Sequence, residues 1–110
     1  MVIALTLTQY FDAEPAEVAG LLEGSLDRGL DAAATRIGAD RTELIAENVE
    51  GGIRINSGLD VLDGSELHVS GESRLTTLRI SVPWERTDNS KALAATTFAE
   101  AIAQEVQLAA

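Results

Sequence analysis

From Thr42 to Pro83 the apolar side chains recur at every second position, a spacing that belongs to strands and not to helices. Leu44–Val49 reads as one strand, with Glu50-Gly51-Gly52 as its turn. Ile53, Ile55, Leu59 and Val61 continue the alternation in the next strand, with Gly58 as a bulge. Asp63-Gly64 is a tight-turn signal, because glycine takes positive φ without steric cost. Ser65–Ser70 then returns with Leu67 and Val69 inward. After Gly71 a longer strand runs to Pro83, with Leu78, Ile80 and Val82 inward and Thr77, Arg79 and Ser81 outward. Four consecutive antiparallel strands are predicted, and their alternation predicts a sheet with one buried and one solvated face.

Two helical regions and one further strand flank this run. Val2 to Thr8 alternates, with Ile3, Leu5 and Leu7 on one face and Thr6 and Thr8 on the other. Asp12 is placed to accept hydrogen bonds at a helix start, and Pro15 suits a first helical turn, where its missing N–H has no partner to lose. Gly20, Gly24 and Gly29 each weaken the helical pattern from Pro15 to Ile37 by about 1 kcal/mol relative to alanine. That predicts two short helices with a bend near Gly24, closed by Gly38. Asp88-Asn89-Ser90 supplies cap candidates for a last helix over Lys91–Leu108, with Ala95, Phe98, Ala99, Ile102 and Val106 on one face. The predicted architecture is a single α+β domain over 1–110. Its antiparallel sheet has about five strands, in the order β-α-α-β-β-β-β-α, and the long C-terminal helix packs on one face.

Composition excludes several functions. No apolar run approaches the ~18 residues that a spanning helix needs, so membrane insertion is not expected. The opening residues show neither a basic region nor a cleavage pattern, and a cytoplasmic location is expected. A net charge of −10 opposes nucleic acid and anionic lipid as partners. With no cysteine and one histidine, thiolate and imidazole metal sites are excluded, and no Asp-x-Asp-x-Asp-Gly loop offers a calcium site. Gly51-Gly52 lacks the lysine and the spacing of a phosphate loop, and no cofactor is called for. Aromatic residues make up only 4% of the chain, so the core must be aliphatic. The preference for arginine over lysine, with abundant alanine, matches the usage of GC-rich bacterial genomes.

Few side chains carry reactive chemistry. His68 falls on the polar face of its strand beside Glu66 and Ser70, where a solvated residue is the ordinary reading. A catalytic base there would have to turn inward with a carboxylate in reach. No Gly-x-Ser-x-Gly elbow presents a serine to it. Asp60, Asp63 and Glu66 surround a hairpin and serve solubility and turn formation. Trp84, after Pro83, either plugs the edge of the core or roofs a pocket mouth or dimer contact. Arg54, Asn56, Thr77 and Arg79 fall on the outward sheet face, where cross-strand charge pairing is the usual role.

The segment Phe11-Asp12-Ala13-Glu14-Pro15-Ala16-Glu17-Val18-Ala19-Gly20-Leu21-Leu22 resembles the junction of first strand and helix in the START-like (SRPBCC, helix-grip) superfamily. The order of elements and the closing helix after Thr77–Pro83 are similar to that superfamily as well. The resemblance implies a sheet that grips the last helix around a small hydrophobic ligand. Family members carry more strands than the four counted here after the helical region, and the missing ones form part of the cavity wall, so the shortfall either counts against such a cavity or implies that a second copy completes it. The implied pocket is lined by Ile53, Ile55, Leu67, Leu78, Ile80, Trp84, Phe98 and Ile102, with Val106 nearby. Three functions follow as expectations. The first is a noncatalytic binder of a small hydrophobic molecule. The second is a homo-oligomeric interaction module, a homodimer being the simplest form, which meets its partner through the outer sheet face or an edge strand. The third is a cyclase- or hydratase-type enzyme that uses His68.

Overall fold

Apolar–polar alternation produces five strands in the computed structural model, which describes residues 2–59, 62–85 and 89–110. They are β1 (Val2–Asp12), β2 (Leu44–Val49), β3 (Gly52–Ser57), β4 (Ser65–Glu72) and β5 (Leu75–Glu85). Helix α1 (Pro15–Ile37) follows β1, a 3-10 turn (Arg41–Glu43) precedes β2, and α2 (Asn89–Ala109) closes the chain. All five strands join one antiparallel sheet in the order β1-β5-β4-β3-β2. The consecutive strands β2 to β5 pair as neighbours. β1 reaches across the chain to pair with β5, where Leu7 faces Ile80 and Thr8 faces Arg79.

Register puts Leu5, Leu7, Ile53, Ile55, Leu67, Leu78, Ile80 and Val82 on one face. Both helices lie side by side on that face, α2 over β5 and β1, α1 over β4 and β5. Phe98, Ile102 and Val106 of α2, with Val18, Leu22 and Leu30 of α1, fill the layer between. The opposite face is solvated, as the alternation predicts.

The bend expected near Gly24 is absent: α1 is one helix of 23 residues. Packing overrides propensity here. Gly20 and Gly24 point to solvent, where a glycine weakens the helix without removing a contact, and Val18, Leu22, Leu30 and Ala33 hold it along its length. Gly29 has a different role. A Cβ at that position would lie 3.3 Å from the Ile102 Cα, so the glycine permits the close approach of α1 to α2. Gly38 ends the helix in the left-handed conformation at φ 75°, as expected.

Three local expectations are revised. Asp12 does not cap α1. It ends β1, and its carboxylate accepts from Arg74 Nε at 3.2 Å, while Glu14 holds the N-cap position without a side-chain bond. The β3–β4 connection is not a two-residue hairpin after a bulge. β3 stops at Ser57, and Leu59 lies in the loop. Asp63 Oδ1 accepts from Ser57 N at 3.0 Å, and Leu62 is buried beneath the loop. A loop that feeds a side chain into the core gains more than two extra ladder pairs would. Gly64 takes the positive φ that the Asp63-Gly64 signal predicts, whereas Val61 and Asp60 lie outside the described residues. Finally, α2 begins at Asn89, inside the segment expected to cap it, and Asp88 is outside the described residues.

The glycines of α1 give a paired test. Gly24→Ala has open space around it and is expected to raise stability by about 0.5–1 kcal/mol. Gly29→Val, which must push α2 away, is expected to lower it by about 1–3 kcal/mol. Chemical denaturation of the two variants checks both signs. The turn before β2 gives a pH test. Asp40 accepts from the Thr42 backbone N–H at 3.0 Å and from its hydroxyl at 2.9 Å, and these bonds hold its carboxyl below the ordinary aspartate range. A carboxyl lowered by folding stabilises the fold above its unfolded value and loses that contribution as pH falls through the folded value. Asp40→Ala is therefore expected to lower the melting temperature at neutral pH and to have little effect in strong acid.

Candidate functional site

Two regions of the sheet can carry function, one on each face. On the helix side, coverage is incomplete. Beyond the buried Leu44 the β2 edge is uncovered, and Ala46 and Asn48 are exposed although they sit opposite the buried Ile55 and Ile53. Between that uncovered margin and the N-terminal half of α1 runs a groove of about 430 Å³. Ile53, Leu67 and Val69 form its floor, and Ala16, Ala19 and Leu22 form its helical wall. Glu23 and Asn48 put a carboxylate and an amide at the same groove, and Pro15, Gly51 and Gly52 complete it. Two of the α1 residues that face it are alanines, which leave space: Ala16 and Ala19 stop one methyl from the backbone, while Val18 on the adjoining face is fully buried. The apolar wall with two polar groups is the common make-up of small-molecule sites.

The residues that the sequence assigns to a pocket under the last helix separate into two groups. Ile55, Leu78, Ile80, Phe98 and Ile102 are fully buried, and Val106 lies with them, packed between sheet and helices. Ile53 and Leu67 belong to the same cluster and also open onto the groove. Trp84 lies in β5 opposite Ile3, and its side chain is outside the described ones. The groove residues on α1 were missed by sequence reasoning. Alanines on an exposed helix face carry no signal of their own, and only the absence of a helix above β2 makes them a wall.

On the outer face, His68 stands on β4 opposite Gly52 of β3 and Arg79 of β5, directed away from the core as its place in the alternation predicts. Its Nε2 lies 2.9 Å from Glu66 Oε1 and its Nδ1 3.1 Å from the Gly51 carbonyl oxygen. Through these contacts the ring joins the β2–β3 turn to β4. The inward-facing base that an enzyme reading requires is not formed. Beside it, Arg54 sits between Glu47 and Glu66, with Nη1 3.8 Å from Glu47 Oε1, a cross-strand charge row. Thr77 and Arg79 lie farther along the sheet, between β1 and β4, and Asn56 is opposite Ile45. The four do not form a single anion site. Among the described residues no group of three histidines or acids could hold a metal ion, and no helix is long and apolar enough to cross a membrane.

The chain matches no family model, no curated protein and no solved structure. Function has to be argued from this geometry. If His68 is a fastener, His68→Phe is expected to cost at most about 1 kcal/mol at this partly exposed position. The loss should appear as faster amide exchange in the β2–β3 turn, with the rest of the sheet unchanged.

Proposed function

We propose that this protein is a noncatalytic binder of a small hydrophobic molecule, held in the groove between the N-terminal half of α1 and the β2–β4 margin of the sheet. The observation that carries this reading is the groove itself. Its volume falls within the range of small-molecule sites, its walls are aliphatic, and Glu23 and Asn48 supply the few polar groups that would orient a ligand. An apolar guest gains by leaving water against Ile53, Leu67, Val69 and Leu22. Glu23 favours a guest with a hydroxyl, amine or amide over one with a carboxylate, since a second anion there would be repelled.

The START-like reading is supported by the arrangement of the sheet, in which the first and last strands pair and the last helix crosses the same face. In that reading the ligand space lies beside α1 and not under α2, because α1 is a long continuous helix that occupies the layer next to α2. The outward placement of His68 favours binding over catalysis.

The test combines native mass spectrometry of gently purified protein with titration of Nile red, a neutral apolar probe. Saturable binding of one probe per chain is expected. Ala19→Phe fills the groove from an exposed position and should weaken binding at least about tenfold while leaving the circular dichroism spectrum unchanged. Probe binding that is insensitive to Ala19→Phe, with no co-purifying mass, would overturn the proposal.

A further inference from the structure

The two edges of the sheet are built very differently. β2 is short, and its segment is guarded by Glu43, Glu47 and Glu50, with Glu47 on the strand itself. Acids at an edge deter pairing with a second strand. β1 is the other edge, with 11 residues, and it pairs only with β5. From Leu5 to Phe11 it has no charged residue, no proline and no glycine, so it lacks the usual devices that blunt an edge. On the helix side of β1, Leu5 and Leu7 are only partly buried.

The neighbouring flank of α2 is mixed. Gln107 receives a hydrogen bond from Gln9, which fixes the helix face turned towards β1. Thr96, Ala99 and Ala103 share that face by helical spacing. Ala99 and Ala103 are buried there, and Glu100, on the same side by that spacing, is exposed, so the uncharged strip is confined to β1 itself.

We infer that β1 is a homodimer edge: two copies pair β1 antiparallel across a two-fold axis, giving a continuous ten-strand sheet. The occupant is a second copy for two reasons. An antiparallel strand edge is complementary to itself under two-fold rotation, so one sequence supplies both halves of the ladder. A chain with a net charge of −10 can meet its own copy closely only where no acids face each other, and β1 from Leu5 to Phe11 is such a strip. A two-fold near Thr8 sets the Tyr10 side chain, 70% exposed, across from Thr6 of the second copy on the outer face. On the helix side it sets the partly buried Leu7 across from Gln9, and Leu5 across from Phe11, of the second copy. This inference is independent of the groove, which lies at the opposite margin of the sheet.

Sedimentation analysis of the wild-type chain over a range of micromolar concentrations tests it. The expected species at the upper end has twice the 11.6 kDa chain mass. The double variant Thr6→Lys/Thr8→Lys, on the solvated face of β1, should raise the dissociation constant at least about tenfold with an unchanged circular dichroism spectrum. A wild-type chain that stays at 11.6 kDa throughout overturns the inference, as does a dimer that survives the double variant. Should the double variant fail to fold, hydrogen exchange on the wild type decides. Protection of outward amides between Leu5 and Phe11 that is lost on dilution supports the dimer edge, and exchange independent of concentration overturns it.

Discussion

The close approach of α1 to α2 at Gly29 and Ile102 is the contact on which the helical layer depends. Two helices that lie side by side over one sheet must share a limited width, and a glycine at their contact brings the axes nearer than any side chain would allow. The outward sides of both helices then interact: Arg36 donates to Gln104 Oε1 at 2.6 Å, and Arg28 reaches Glu105 at 3.7 Å. These exposed polar contacts contribute little energy, but they fix the axial register of two helices whose buried faces are mostly small and aliphatic. Ser25 is compatible with burial in this layer because its hydroxyl donates to the Leu21 carbonyl of its own helix at 2.6 Å.

That narrow helical layer decides which strands are covered. Two closely packed helices protect β1, β5 and β4 and part of β3, and the sheet is one strand wider than its cover. The apolar pattern follows the consequence: β2 has one buried residue, Leu44, while β3 and β4 bury theirs on the helix side. The groove is therefore a product of mismatch between layer widths. It is lined on one side by alanines of α1 and on the other by the last fully apolar strand positions.

The same sheet explains why the outer face is quiet. Local pairs, Arg54 with Glu47, His68 with Glu66 and Arg74 with Asp12, hold neighbouring segments together. Thr76 and Ser65 are buried yet satisfied, donating to the Ala13 and Leu62 carbonyls at 2.6 Å each. Through Thr76 the end of β1 and the entry to α1 are tied to β5. The β1–β5 pairing thus places α1 over the sheet as well as completing it.

Much of the fold was legible in the chain itself. Period-two alternation set the strands and their inward residues, from Ile53 to Val82, because a strand that faces a core on one side must alternate. The absence of glycine and proline from the last helix, and Gly38 after the first, marked helices for equally local reasons. The chemistry was bounded in the same way, since one histidine and no cysteine leave few reactive arrangements. What only tertiary structure decided were the continuity of α1, the capture of Asp12 by Arg74, the ending of β3 at Ser57, and the position of the groove. Each depends on residues far apart in sequence competing for the same space or partner. Propensity and spacing report what a segment prefers alone, and the width of the helical layer over the sheet is not a property of any segment.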